Sequence, residues 1–451
     1  MSEQGNIVPP MKSKEWSTWV QREELGVRFG RRKHKGIPCL WMGNPRRFES
    51  FGKWIVRTGP IEAGAWYDIR ASYRQKGVAC ERSSVVVLLT WLGKGIVGEQ
   101  VRRDYVQYLV DEGDGWKALV EHVRAPEGAT GVQIELFLRF TERGQVWWRA
   151  VEMQSSSARA GRVVRAAAVF DPTIYRSTKE KILARAEVLI DKVAQEKPDV
   201  ICLTEVFSTR GMDRPIGEVA EPIPGGPSSS LLSKKARQYS CYIAASLHEK
   251  VLVEDGEVYY NTGVLFDRQG GFVGKYRKVQ ITLEEAELYR VSPGRDLPVF
   301  ETDFGKVGIL ICWDHSFGEL LRILALRGAE MILLAIAGDG LPHHWETSCR
   351  LHAIENNVHI VGSLSLRGPS LIMAPNGEIL GQTYSYTQHP GDDPKMDFVV
   401  AECDMDLRPE GKYMSVGDTY ADRRSTYLVE RRLDVLGPLM NSETLPEGAS
   451  W

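Results

Sequence analysis

The chain has 451 residues, 43% of them hydrophobic and 26% charged, with a net charge of −2; these are globular averages that exclude a disordered, collagen-like or coiled-coil protein and predict two or three domains. Its longest apolar runs fall well short of the roughly 20 residues a membrane helix needs, and the start MSEQGNIVPPMKSKEW has no apolar stretch behind a basic one, so the expectation is a cytoplasmic protein with no membrane contact. Seven cysteines without a CxxC pair exclude a disulfide framework and leave each thiol as core or as a reactive group.

The first 150 residues carry 24 Lys+Arg against 17 Asp+Glu, a balance of +7, which leaves −9 for the rest. Within them Arg28, Arg31, Arg32, Lys33 and Lys35 form a basic cluster, read as a solvated face because no nucleic-acid recognition motif accompanies it. Segments 66–73, 84–91, 118–123, 132–139 and 146–153 are short, rich in Val, Leu, Tyr and Trp, and separated by turn residues, which predicts an all-β sandwich over residues 1–153. Segments 127–138 and 144–153 resemble the final strands of carbohydrate-binding-module-like jelly rolls, so a glycan is a candidate ligand there. Trp41, Trp54, Trp66 and Trp116 could stack on sugar rings, although tryptophan in a sandwich is more often core. The stretch QSSSARAG, 154–161, is the expected linker.

From residue 162 the pattern changes to alternating strands and helices. An apolar strand over 166–170 is followed by Ser177 and Glu180, spaced as a capping box, and by Ile182, Leu183, Ala186, Leu189, Ile190 and Val193 on helical spacing. Strands are predicted at 200–207, 242–247, 262–267, 307–313 and 331–336, and helices at 229–239, 319–327 and 345–356. The fold class is therefore α/β for residues 162–430, with 431–451 as a C-terminal tail.

Three segments carry chemistry. Glu205 closes the run ICLTE, Lys278 lies in GKYRK after a turn, and Cys312 ends GILIC before a predicted helix. Alone, each has a plain reading as an ion pair, a solvated basic face or an inert buried thiol. In this order and context they resemble the Glu-Lys-Cys triad of the nitrilase superfamily, the carbon-nitrogen hydrolases. The resemblance runs from about residue 162 to RRSTY at 423–427 and includes SPG at 292–294 and HAIENN at 352–357. It implies a four-layer αββα sandwich, Cys312 as nucleophile, Glu205 as general base and Lys278 as oxyanion partner beside the Trp313 backbone N–H, with no metal or organic cofactor. It also implies a second glutamate shortly after the lysine; Glu285 fits the spacing, with Glu284 and Glu287 as competitors. Trp313, His315 and Trp345 are the candidate substrate-binding residues.

Cys312-Trp313-Asp314 followed by Phe317 and Glu319 looks like the amidase and carbamoylase branches, although Gly318 stands where relatives commonly have proline. The expected activity is cleavage of a small linear amide or N-carbamoyl compound through a thioester acyl-enzyme. Alternatives are a glycan- or partner-binding protein with an incidental hydrolase-like domain, and an acyltransferase using the same acyl-enzyme. The resemblance implies a homodimer or larger assembly. Pocket loops are expected at 338–345 and 384–395.

Overall fold

The computed structural model describes residues 5–43, 47–94, 99–172, 177–212, 214–338, 342–366, 368–383, 396–412 and 420–431. Two compact units result, one of Met1–Ala160 together with Arg408–Trp451 and one of Gly161–Leu407. Residues 408–430, which sequence reading assigns to the second domain, thus group with the first unit.

The first unit is built from two sheets. One runs Ser17–Val20, Phe51–Thr58, Ala129–Arg139, Val85–Gly93, Gln100–Val106, Tyr420–Asp422 and Glu410–Lys412; the other runs Arg28–His34, Ile37–Gly43, Gln145–Ser156, Trp66–Lys76, Trp116–Arg124 and Tyr108–Gly113. Strand alternation puts Val132, Ile134, Leu136 and Leu138 on one face, where they share a core with Leu40, Met42, Ile69, Trp148 and Met153 of the second sheet. Removing such side chains from water contributes about 1.5–3 kcal/mol each. Tyr420 and Ala421 pair in parallel with Arg102 and Arg103, so the C-terminal segment completes a sheet begun near the N-terminus.

Four of the five residues of the basic cluster lie on a strand, and all five are exposed. Arg28–His34 pairs antiparallel with Ile37–Gly43, the Arg31 guanidinium donates to the Met11 and Ser13 carbonyls, and Arg32 lies 3.4 Å above the Trp41 ring. Of the tryptophans singled out in the sequence, Trp41, Trp54 and Trp116 are buried and Trp66 is half-buried. Trp54 is core, Arg149 lies over Trp116 at 4.5 Å, and Trp66 stacks on His122. The segment expected as linker starts as strand, because Gln154, Ser155 and Ser156 pair with Asp68, Tyr67 and Trp66.

In the second unit one sheet runs Phe272–Arg277, Gly256–Phe266, Tyr242–Val253, Val200–Cys202, Val163–Phe170 and Asp397–Asp404, and the other Val299–Thr302, Gly305–Ile311, Met331–Ile336, His359–Leu364, Leu371–Met373 and Ile379–Gln382. The middle strands of each are parallel, and their near-continuous apolar runs reflect burial on both faces. Ala166 and Ala168 point into a core shared with Ile309, Leu333 and Val361 of the other sheet. Ala167 and Val169 point the opposite way, onto Ile190 and Val193 of helix Lys179–Ala194 and Leu232 and Ala236 of helix Pro227–Tyr239. Helices Gly318–Leu326 and Pro342–Asn356 add Leu321, Leu324, Trp345 and Ala353 to the first core.

Two local expectations change. The strand expected over 200–207 stops at Cys202, because the chain turns at Val206, whose φ is +40°, and closes the turn with Thr209 and Arg210 N–H donating to the Val206 carbonyl. Helix Lys179–Ala194 begins from Thr178 with no side-chain cap bond, not from a Ser177–Glu180 box. The 384–395 loop, residues 339–341 and most of the expected tail lie outside the described residues.

Candidate active site

The site is assembled just beyond the C-terminal ends of strands from both sheets. Glu205 follows Val200–Cys202, Lys278 follows Phe272–Arg277, Cys312 follows Gly305–Ile311, and Ala337 follows Met331–Ile336. At Cys312 the backbone leaves the buried strand with φ +46°, enters the 3-10 turn Cys312–Ser316, and continues into helix Gly318–Leu326. A left-handed cysteine is uncommon and needs surroundings that hold it.

Asp314 is the group that holds it. Fully buried, it accepts from the Ile311 N–H at 2.9 Å, the Gln280 N–H at 2.9 Å and the Tyr276 hydroxyl at 2.8 Å. The turn after strand Gly305–Ile311 is thereby tied to the segment that carries Lys278. Burial pushes the Asp314 carboxyl up to about 6, against the pull of the Gln280, Ile311 and Tyr276 bonds.

Lys278 is 1% exposed, and its Nζ bridges two carboxylates, Glu205 Oε1 at 3.0 Å and Glu285 Oε2 at 2.8 Å. Asn261 spans the same pair, with Nδ2 donating to Glu205 Oε1 at 2.8 Å and Glu285 Oε1 at 3.0 Å. The Ser246 hydroxyl fixes the amide by donating to Asn261 Oδ1 at 2.6 Å, and itself accepts from the Val206 N–H. The second oxygen of Glu205 accepts from the Ala337 N–H at 2.9 Å. Burial opposes the Lys278 charge, but Glu205, Cys312 and Glu285 outweigh it and hold its pKa above the ordinary lysine range. Glu285 is held below the usual carboxylate range because Lys278 overcomes its desolvation.

Local chemistry selects Glu285 from the three nearby glutamates. Thr282 caps helix Leu283–Glu287 by accepting from the Glu285 N–H, and Glu285 returns the bond by accepting from the Thr282 N–H. This capping box folds the Glu285 side chain back over the helix start, towards Lys278, whereas Glu284 and Glu287 stay exposed.

The Cys312 thiol reaches the Glu205 side chain and the Ala337 N–H; burial and then the Glu205 charge push its pKa up, with Lys278 acting in the other direction. Among the candidate substrate residues, Trp313 is 45% exposed beside the cysteine. His315 Nδ1 lies 2.7 Å from the Cys312 carbonyl, and the His315 carbonyl is 2.9 Å from His352 Nε2, so the HAIENN helix steadies the Cys312 turn. Trp345 is placed elsewhere: fully buried in the core, it donates from Nε1 to the Pro369 carbonyl and packs against His315. It supports the turn from behind.

Sequence reading missed Asn261, Ser246 and the role of Asp314. A polar residue on each of two apolar strands, Ser246 and Asn261, is a signal that both side chains have a purpose, but only the antiparallel register of the strands 242–253 and 256–266 shows that they meet.

A cysteine, a lysine and one carboxylate beyond strand ends thus meet a second carboxylate carried by helix Leu283–Glu287. The chain belongs to the carbon-nitrogen hydrolase family, whose model matches residues 165–407. It is 32% identical over 262 residues to a nitrilase of Pyrococcus abyssi, covering 55% of this chain and 93% of that protein, and 31% identical to a human omega-amidase, covering 46% and 80%. The carbon-nitrogen hydrolase of Helicobacter pylori has a similar fold, with TM-score 0.52, 21% identity, and coverage of 62% of this chain and 99% of that one.

Proposed function

We propose that the protein is a cysteine-dependent amidohydrolase that cleaves a non-peptide C–N bond of a small linear amide or N-carbamoyl compound through a thioester. The observation that carries this reading is the buried Lys278 held between Glu205 and Glu285, with the Cys312 thiol against Glu205. A thiol pushed up in pKa is protonated at neutral pH, so attack needs a base in contact with it. Glu205 takes the proton as the sulfur bonds to the carbonyl carbon and the C=O electrons move to oxygen. Lys278 stabilises that oxyanion, a contribution of about 3–4 kcal/mol by analogy with other oxyanion donors. Collapse breaks the C–N bond, with Glu205 returning the proton to the leaving nitrogen. Water, deprotonated by Glu205, then attacks the thioester; the C–S bond breaks and the thiolate recovers a proton.

Relatives named as omega-amidases favour amides as the substrate class. We take Gly161–Leu407 as a four-layer αββα sandwich and the first unit as jelly-roll-like. Ammonia release across a panel of amides, N-carbamoyl amines and nitriles tests the activity, and Cys312→Ala should abolish it; turnover near the wild-type rate in that variant would rule the mechanism out. Product analysis with and without an added acceptor amine separates hydrolysis from acyl transfer: a hydrolase forms the carboxylic acid in water alone, whereas a transferase turns over only when the acceptor is present.

A further inference from the structure

We propose that His248 is a positioning residue for the base: acting through Thr209, it holds the strained Val206 peptide that sets where Glu205 lies against Cys312 and Lys278. The inference rests on the reading of Glu205 as the group that takes the Cys312 proton.

Val206 directly follows Glu205 and has φ +40°, a left-handed conformation that a β-branched residue adopts only when its surroundings impose it. Both sides of this residue are gripped from one strand. Its N–H donates to the Ser246 hydroxyl at 3.0 Å. Its carbonyl accepts from the Thr209 N–H at 3.0 Å and from the Thr209 hydroxyl at 3.4 Å, and Thr209 Oγ1 lies 2.8 Å from His248 Nδ1. Ser246 and His248 are two positions apart on strand Tyr242–Val253 and so project from the same face. That face holds the Val206 N–H directly and the Val206 carbonyl through Thr209.

His248 also stands beside the second carboxylate. Its Cα is paired with that of Asn261, whose amide bonds Glu205 and Glu285. Its ring stacks with Tyr289, centroids 6.2 Å apart and planes at 27°, just past the helix that carries Glu285. Burial pulls the imidazole down to about 4, with Glu285 raising it and Lys179 and Lys278 lowering it. The ring is therefore neutral in the working range, with one N–H and one acceptor nitrogen. Because the Thr209 hydroxyl donates to the Val206 carbonyl, the tautomer that fits donates from Nδ1 to Thr209 Oγ1 and completes a directed chain, His248 to Thr209 to Val206. Thr209 is itself buried, so water has little access to replace the imidazole.

Iodoacetamide, a small amide, reports on this chain without knowledge of the substrate. The Cys312 sulfur displaces iodide, the S–C bond forming as the C–I bond breaks, and Glu205 takes the thiol proton. The test compares the rate of Cys312 alkylation near neutral pH, read by mass on the Cys312 peptide, in wild type, His248→Phe, His248→Asn, Thr209→Val and the double variant of His248→Phe with Thr209→Val. Phe keeps a ring against Tyr289 but has no hydrogen bond to give, and should slow alkylation by about threefold to tenfold, the range for one neutral hydrogen bond. Asn, whose amide nitrogen can stand in for Nδ1, should recover most of the rate. Thr209→Val should match His248→Phe, and the double variant should be no slower than either, because both remove the same chain. An undiminished rate in His248→Phe, equal losses in the Phe and Asn variants, or losses that multiply in the double variant each overturn the proposal. Failure of the underlying reading looks different, because Glu205→Gln would then be alkylated as fast as wild type.

Discussion

Lys278 keeps its charge where an isolated ammonium would lose it. Its raised pKa means that the stability it contributes is present below the ordinary lysine value and is lost only as pH rises past the folded one, so the ammonium persists throughout the working range. Glu285 has the opposite sign: its depressed pKa gives stability above the ordinary carboxylate value that disappears as pH falls through the folded one. Glu285→Gln should therefore lower kcat/KM by about a hundredfold, comparable to losing an oxyanion-site group, while Glu284→Gln and Glu287→Gln stay within about twofold, as exposed positions do. A severe loss at Glu287 alone would contradict the capping-box assignment. For Cys312 the raised pKa predicts that iodoacetamide labelling of the free enzyme keeps accelerating through about pH 9 instead of reaching a plateau near neutrality.

At this scale the sequence was informative where spacing encodes contact. Glu205, Lys278, Glu285 and Cys312 are brought together by strand endings and one helix cap, features that leave patterns in a chain. Asn261 left none, because its meaning depends on which groups face it across a strand pair. Trp345 was misplaced for a related reason: an aromatic at the start of a helix near the cysteine reads the same whether it faces the pocket or the core.

Polar ties between elements add to their packing, and those around the site are the places to break. Asp314 joins the nucleophile turn to the Lys278 segment through three donors. Asp314→Ala leaves those donors buried without an acceptor, at about 1–3 kcal/mol for each, and should both lower Tm and reduce kcat. The Asp314 carboxyl titrates near 6 in the fold, above its ordinary value; its contribution is greatest when protonated and declines as pH rises through about 6. The Tm of wild type relative to Asp314→Asn should accordingly fall between about pH 4 and pH 6 and then level off. A relative Tm that rises over that interval would reverse the sign argued here. Gly294 is a second tie: its N–H donates to the Lys278 carbonyl, and a Cβ there would sit 2.1 Å from the Arg277 carbonyl oxygen. Gly294→Ala should therefore displace Lys278 and cost activity out of proportion to its effect on Tm.

Strand and helix placement was largely legible because hydrophobic period reports it. The end of the strand before Glu205 was not, since the left-handed Val206 turn is as apolar as the strand it terminates.

For the whole molecule, the division into two units predicts that the residues 161–407 fold without the rest and retain Cys312-dependent amide hydrolysis. Loss of folding in that fragment would show that the units depend on each other. The boundary that composition suggests, a polar stretch after residue 153, marks one side of the hydrolase unit. Its other side was hidden, because pairing of Tyr420–Asp422 with Gln100–Val106 is a contact between distant parts of the chain. Truncation after residue 407 should lower the Tm of the first unit and promote its association, since it bares a strand edge.

That strand pairing also sets an order of events during synthesis. Gln100–Val106 leaves the ribosome early, but its neighbour is made only after the entire hydrolase unit has emerged. Until then the first sheet carries an open edge of unpaired N–H and C=O groups, and the nascent chain must carry it exposed while the α/β unit folds in between. The hydrolase unit is in effect an insertion, and the speed at which it folds decides how long the surrounding sheet stays vulnerable.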